Sequence, residues 1–442
     1  MNYNSALFRK IVNNYGMDFA KHLESYLTKE EISSLISSLD EKEHKGLILN
    51  PNKMDPKRLK SLFSSVKKHP FVENGFLYDQ EIDQPGKKIY HEQGAYYIQD
   101  PSAAIVASLL PIKEGQRVLD LCAAPGGKTT QISLRLGQNG LVVANDLSKQ
   151  RAITLLQNIE RMGLGNVVVT SLDFKNIYQQ FLGYFDHIIL DAPCSGSGMF
   201  RRSEEMKKDW TFDKVLKYAK IQQNLIEIAY SMLKPGGNLV YSTCSYSYEE
   251  DEEIIEYLLE KTDAKLIQIP EITGNFRSKK YPETIHLFPH LFPGEGHYIA
   301  LIKKPGQLSL NKLQDIDIYR SRQSKGKSTE IEHFVLPQEI SNKLIELSLR
   351  PGLLKETKID QKIIPSHHYS HACGSTNSIE LTKEETIQYL QGNVIYKKIP
   401  QEGYSFVSYQ GINLGVVHLV NNQLKNLYPK GLRIFAKVDD SF

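Results

Sequence analysis

The chain has 442 residues, 40% of them apolar and 24% charged, with 54 basic against 51 acidic side chains and a formal net charge of +3. These are the fractions of a soluble globular protein long enough for two or three domains, and a charge so near balance does not announce a nucleic-acid binder. No apolar run approaches the ~20 residues of a membrane span, and the N-terminus does not read as a signal peptide. Cysteines 122, 194, 244 and 373 stand far apart without a C-x-x-C pair, so neither disulfides nor a metal site is expected. A reducing cytoplasm suits such free thiols. Nothing demands a dimer, and a monomer is expected.

Residues 1–95 read as an α/β domain. Helical patterns fall around Ser5–Tyr15, Met17–Tyr26 and Lys29–Leu39, with a strand at Gly46–Asn50 and a helix over Asp55–Val66 that starts on Asp55-Pro56. Basic residues cluster at Lys53, Lys57, Arg58, Lys60, Lys67 and Lys68, at Arg201-Arg202, and at Arg277, Lys279 and Lys280. Each cluster is either a solvated face or, if several share one side of a cleft, a phosphate track.

Strict alternation follows. Helix Pro101–Leu109 precedes strand Arg117–Leu121, helix Thr129–Leu136 precedes strand Leu141–Asn145, and helix Lys149–Met162 leads to strand Val167–Ser171. Strands at His187–Leu190 and Asn238–Ser242 come next, then a helix from about Glu249 to Leu259. The pattern predicts a parallel, doubly wound, Rossmann-like sheet over residues 96–304. Strands Lys265–Ile269 and Tyr298–Lys303 flank a loop rich in Pro, Gly and His, which predicts an antiparallel edge hairpin. Residues 305–332 are polar and unpatterned and read as a linker. Residues 333–442 carry a helix at Lys383–Leu390 and strand-like runs at Tyr404–Tyr409, Asn413–Leu419 and Leu432–Val438, which predict a small β-rich domain.

The first strand of the alternating region runs into Cys122-Ala123-Ala124-Pro125-Gly126-Gly127-Lys128-Thr129 and then a helix. Small residues there let the backbone approach a ligand, and the helix start offers free amides. The turn lacks G-x-G-x-x-G, so a dinucleotide is not the expected ligand. Alone, Pro-Gly-Gly is also an ordinary tight turn. The second strand ends at Asp146, spaced to bind both hydroxyls of a ribose. The third leads to Asp173, suited to an adenine amino group or to capping a helix, and the fourth ends at Asp191. Carboxylates after three successive strands would repel a triphosphate and suit an adenosine without phosphates. S-adenosylmethionine has that character.

Two cysteines sit just past strand ends, in Asp191-Ala192-Pro193-Cys194 and in Ser242-Thr243-Cys244. Ligands bind outside the carboxyl ends of such strands. Methylating carbon five of a pyrimidine needs a thiolate to add at carbon six, an acid near ring nitrogen three, and a base to remove the carbon-five proton. Cys244, Asp191 and Cys194 supply that set, a following helix dipole favours a thiolate at Cys244, and Lys128 adds positive charge. Cys122 reads as a cofactor contact and Cys373 as structural. The acidic run Glu249-Glu250-Asp251-Glu252-Glu253 reads as first-turn carboxylates of the next helix.

The set D-L-C-A-A-P-G-G-K-T (120–129), A-N-D (144–146), D-A-P-C-S-G-S-G (191–198) and Y-S-T-C-S (241–245) resembles the NSUN-type RNA cytosine-5 methyltransferases. G-A-Y-Y-I-Q-D-P-S (94–102), G-E-G-H-Y (294–298), R-P-G-L (350–353) and K-N-L-Y-P-K-G-L-R (425–433) are similar to its bacterial RsmF/YebU class. The resemblance implies a class I methyltransferase core, a PUA-like RNA-binding C-terminal domain and a substrate in 16S ribosomal RNA near the decoding centre. By motif position it makes Cys244 the nucleophile and Cys194 the residue for product release, with 122–128, Asp146, Asp173 and Asp191 around S-adenosylmethionine. Related N-terminal domains often read G-L-R-V-N where this chain has Gly46-Leu47-Ile48-Leu49-Asn50, so RNA contacts do not transfer from that strand. The alternatives are a transfer-RNA cytosine-5 methyltransferase and a non-catalytic RNA-binding assembly factor.

Overall fold

The computed structural model describes residues 17–433 apart from 25, 310, 312–313, 324–328, 339, 375–376 and 399–400. The helical pattern at Ser5–Tyr15 lies outside the described residues, as does most of the run Leu432–Val438.

Helices Met17–Glu24 and Lys29–Ser38 come first, the second opened by a reciprocal capping box between Thr28 and Glu31. Strands β1 (Lys45–Leu49), β2 (Lys67–Lys68), β3 (Gly75–Tyr78) and β4 (Tyr96–Gln99) form an antiparallel sheet in the order β2-β3-β1-β4. Helix Pro56–Leu62 packs under it, capped by Asp55 and shorter than the sequence pattern suggests. Asp100 then caps helix Pro101–Ser108, whose side chains are buried almost all round.

The central sheet contains β5 (Arg117–Asp120), β6 (Leu141–Asn145), β7 (Val167–Thr170), β8 (Phe185–Asp191), β9 (Leu233–Thr243), β10 (Lys265–Ile267), β11 (Ile285–His286) and β12 (Tyr298–Lys303). A further strand, β15 (Ser348–Pro351), joins it from the C-terminal region, giving the order β10-β12-β9-β8-β5-β6-β7-β15 with β11 on β12. The strands from β9 to β7 run parallel; β12 pairs antiparallel with β9, β15 with β7, and β10 with β12. The central strands are buried along almost their whole length because helices cover both faces. One cover is the 21-residue helix Phe212–Met232, which the sequence reading passed over; it starts on the Thr211 cap and buries Val215, Ala219, Gln222 and Ile226. The expected hairpin is present as β10 on β12, though β12 also pairs with β9 and only β10 is the edge.

The expectation of a linker at 305–332 is corrected. Strands β13 (Ile316–Gln323) and β14 (Thr329–Leu336) pair antiparallel and continue into a sheet with β16 (Leu353–Ile359) and β17 (Lys362–Pro365). Ile318, Phe334 and Leu336 reach the main core, while the solvent side carries charge, and that polarity hid the alternation. The chain ends in a sheet of β18 (Ser378–Glu380), β20 (Gly403–Tyr409), β21 (Ile412–Val420), β22 (Gln423–Asn426) and β19 (Ile395–Tyr396) around helix Lys383–Leu390. No helix among the described residues is long and apolar enough to cross a membrane.

Candidate active site

The strand order reverses between β5 and β8, and the crevice at that switch point is where an open α/β sheet binds ligands. A cavity of about 240 Å³ opens there. Its lining includes Cys122, Ala123, Ala124, Pro125, Gly127 and Lys128 from the turn after β5, and Cys244 from the end of β9. Gly127 also makes room for Gln99: a Cβ there would lie 1.7 Å from Gln99 Oε1, so any side chain would displace the end of that glutamine, which itself lines the cavity. Helix Gly127–Leu136 starts from this turn and presents its first amides.

Asp120, at the end of β5, also lines the cavity and was not singled out from the sequence. One carboxylate oxygen accepts a 2.6 Å hydrogen bond from Thr129 Oγ1 and the other has no protein partner. Burial pushes its carboxyl up to about 7, against the pull of the Thr129 bond and the Lys128 charge. An orphaned buried carboxylate beside a backbone cradle fits the ammonium group of an amino-acid-bearing cofactor. Asp146 is buried at the end of β6, where it accepts from Ser148 N at 3.0 Å and meets Arg151 at 3.3 Å. Asp173 is exposed and accepts from Lys175 N at 3.1 Å, capping a short turn. Neither aspartate is in the cavity lining, and nor is Gly126.

The two cysteines do come together. β8 and β9 are parallel neighbours with Asp191 opposite Ser242, so the loops leaving them start side by side. Cys194 Sγ lies 3.1 Å from Cys244 Sγ. The hydrogen bond to Cys244, then burial, then the charge of Cys244 push the Cys194 thiol well up, which favours its protonated form. Gly198 N donates to Cys244 O at 2.7 Å, and a Cβ on Gly198 would sit 2.6 Å from that oxygen. Lys128 Nζ donates to Asp191 Oδ2 at 2.7 Å, and Ser242 Oγ donates to Asp191 Oδ1 at 2.7 Å. Burial works against both charges, but their mutual attraction prevails: Lys128 is raised and Asp191 lowered from their ordinary values.

The reading of 249–253 as first-turn carboxylates holds for Glu252 and Glu253, which open helix Glu252–Lys261, and is corrected for Glu250, which precedes it. Glu250, Asp251 and Glu252 are all buried. Glu250 Oε2 accepts from Ser195 Oγ at 2.5 Å and Ser245 Oγ at 2.6 Å; Oε1 accepts from Ser195 N at 2.8 Å and Gln222 Nε2 at 3.1 Å. Ser195 follows Cys194 and Ser245 follows Cys244, so one carboxylate ties both cysteine loops to the long helix. Asp251 accepts from Thr243 Oγ1 at 2.6 Å, and Glu252 lies 2.9 Å from His286 Nε2. A serine after each cysteine was the available sequence signal for the Glu250 brace.

The basic clusters divide. Lys53 Nζ donates to Gln93 O at 2.6 Å and to Arg161 O at 3.4 Å, the second bond joining the N-terminal domain to the core, and Arg201 is buried against Glu295 at 3.0 Å. Lys57, Lys60, Lys67 and Lys68 are exposed. Cys373 is half-buried, remote from the cavity, beside Asn413.

Three family models match the chain: 16S rRNA methyltransferase RsmB/F over residues 107–303, the N-terminal domain of 16S rRNA methyltransferase RsmF over 16–101, and the methyltransferase RsmF PUA domain over 376–434. Ribosomal RNA small subunit methyltransferase F of Shewanella piezotolerans is 34% identical over 401 residues, covering 82% of this chain and 84% of that protein. The chain belongs to the methyltransferase F family. Its counterpart in Vibrio parahaemolyticus is 32% identical over 406 residues, covering 82% of this chain and 85% of that one. Among solved structures, a methyltransferase homologue from Pyrococcus horikoshii is 28% identical, with a TM-score of 0.61 over 68% of this chain and 99% of that one. NSun6 of the same organism, at 21% identity and a TM-score of 0.59, shares the fold over 66% of this chain and 99% of that one. Like the rest of its family, this chain is an S-adenosylmethionine-dependent methyltransferase.

Proposed function

We propose that this methyltransferase acts on carbon five of a cytosine in small-subunit ribosomal RNA, through a covalent adduct with Cys244. The observation that carries the reading is the 3.1 Å contact between two cysteines from adjacent strand ends, next to the Lys128–Asp191 pair. S-adenosylmethionine would be held by the turn 122–128, with Asp120 for its ammonium group and Asp146, at the end of β6 beyond the cavity lining, for its ribose, and would supply the methyl group. The base, flipped out of its stack, is attacked at carbon six by the Cys244 thiolate, and the electron pair this releases into the ring makes carbon five nucleophilic. Asp191, held in place by Lys128 and Ser242, faces ring nitrogen three. After carbon five has been methylated, its proton goes to Cys194, the carbon–sulfur bond breaks, and the thiolate of Cys244 returns.

The chemistry of the pair explains how Cys194 changes role. Its proton is held by the hydrogen bond and the negative charge of Cys244. Once Cys244 becomes a neutral thioether both influences vanish; burial and the Glu250 charge still hold the thiol up, but Cys194 loses its proton more readily than before and can serve as the base. The exposed lysines at 57, 60, 67 and 68 and the PUA-type domain suit an RNA partner whose affinity falls with salt. Bisulfite sequencing of small-subunit ribosomal RNA from cells with and without the gene tests the proposal. A cytosine protected only when the gene is present is the expected result. Protection lost in transfer RNA instead would replace the substrate, and no change in either would favour a non-catalytic assembly role.

A further inference from the structure

A buried polar wall faces the cysteines across the cleft, and His297 stands in it. β12 begins at Tyr298, which pairs with Thr243, the last residue of β9. One step outward along the same two strands stand His297 and Cys244, and both line the cleft. Cross-strand neighbours on antiparallel strands share a face.

Hydrogen bonding fixes which nitrogen of this imidazole carries the proton. Asp100 caps helix Pro101–Ser108 through Ala103 N at 3.0 Å, accepts from Glu295 N at 3.0 Å and meets Arg202 at 3.5 Å. Such a carboxylate only accepts. The single proton of Ser102 Oγ is donated to Asp100 Oδ1. The Ser102 oxygen can then only accept, and it does so from Gly296 N at 3.3 Å and from His297 Nδ1 at 3.1 Å. His297 is therefore the Nδ1–H tautomer. Burial, reinforced by the Lys128 charge and opposed by Asp191 and Asp100, pulls the imidazole down to about 4 and keeps it neutral. Its Nε2 carries a lone pair that makes none of the hydrogen bonds seen among the described residues, where the ring's one hydrogen bond is through Nδ1.

We propose that His297 accepts a hydrogen bond at Nε2 from the exocyclic amino group of the target cytosine and so selects cytosine over uracil; this rests on the cytosine-5 reading above. A flipped base is read along its Watson–Crick edge, and an amino group taken out of water needs an acceptor. Each Asp191 oxygen already accepts one hydrogen bond, from Lys128 or from Ser242, whereas the imidazole lone pair accepts none and has no other role, which makes it the complementary partner. Uracil presents a carbonyl oxygen at the same place. Two lone pairs would then face each other with no proton between them, and Ser102 holds the tautomer that cannot supply one.

The test uses the full-length enzyme, labelled S-adenosylmethionine and ribosomal RNA carrying either cytidine or uridine at the site located by bisulfite sequencing. Methylated nucleosides are identified by mass spectrometry, and cofactor titration controls for folding. His297→Phe is expected to lower kcat/KM on cytidine roughly 10- to 100-fold, the effect of leaving a desolvated donor without an acceptor, with cofactor affinity retained. His297→Gln, whose carbonyl can accept and whose amide can also donate, is expected to recover most of that loss and to narrow the preference for cytidine. Ser102→Ala frees the tautomer and is expected to raise the uridine rate relative to cytidine even if His297→Phe does not fold. A His297→Phe enzyme within twofold of wild type on cytidine overturns the inference. So does a His297→Gln enzyme no better than His297→Phe when both bind cofactor, or an unchanged base preference in Ser102→Ala. If the wild type methylates no cytidine, the cytosine-5 reading fails and takes this inference with it. Failure of the variants alone leaves that reading standing.

Discussion

The cofactor side of the cleft is made of backbone, whereas the cysteine side is made of side chains tied to distant parts of the chain. On the first side, residues 122–128 form one contiguous turn after β5, and Gly127 there leaves room for the Gln99 side chain. On the second, Cys194 and Cys244 come from loops 50 residues apart and are held through Ser195 and Ser245 by Glu250, which also accepts from Gln222. A backbone cradle tolerates changes of neighbouring side chains and asks only for small residues. A side-chain network gives orientation at the cost of many partners, each able to loosen the rest. Binding can therefore survive damage that ends catalysis.

The largest separation of the two sides is expected from Cys244→Ala. Turnover should fall below detection while calorimetric titration with S-adenosylmethionine gives an unchanged affinity. The companion Cys194→Ala should accumulate an RNA–protein adduct that survives denaturing electrophoresis; free release of methylated product would remove Cys194 from its role.

Glu250→Ala comes next. It removes the buried acceptor of two serine hydroxyls and an amide N–H, and one of the two bonds of Gln222 Nε2, and should cost on the order of 3 kcal/mol in denaturant unfolding. Because those groups orient the cysteines, kcat should fall more steeply than cofactor affinity. Equal losses in both would mean that the brace serves stability alone.

The smallest effect sharpens the cofactor side. The Asp120 carboxyl is raised by burial to about 7 and must be ionised to hold an ammonium group. As pH falls below about 7 a proton competes, and the cofactor dissociation constant should rise by up to about tenfold per unit. Above 7 it should level off. Asp120→Asn should bind more weakly and lose this slope.

The same contrast explains what could be read from the sequence. The turn after β5, the strand-end cysteines and the alternating core are local signals, and the structure puts them at one crevice. Glu250 looked like an ordinary helix-start charge, because its neighbours Glu249 and Glu253 are what such charges look like and its partners lie 5 to 55 positions away. His297 and Asp100 owe their roles to contacts 195 positions apart in sequence. The helix Phe212–Met232 was passed over because its buried face includes Gln222 and its other faces are charged. Asp173 fell the other way, since capping and adenine binding ask for the same residue and the structure puts it in a cap.

β15 carries a consequence for how the protein is made. Residues Ser348–Pro351 cover the open side of β7, more than 40 positions beyond the end of β12. Until that segment has emerged from the ribosome, β7 presents a row of unpaired backbone groups to any passing strand. A fragment cut after residue 304 would keep every side chain of the proposed catalytic set and still carry that sticky margin, so the unit is not severable where its proposed chemistry ends.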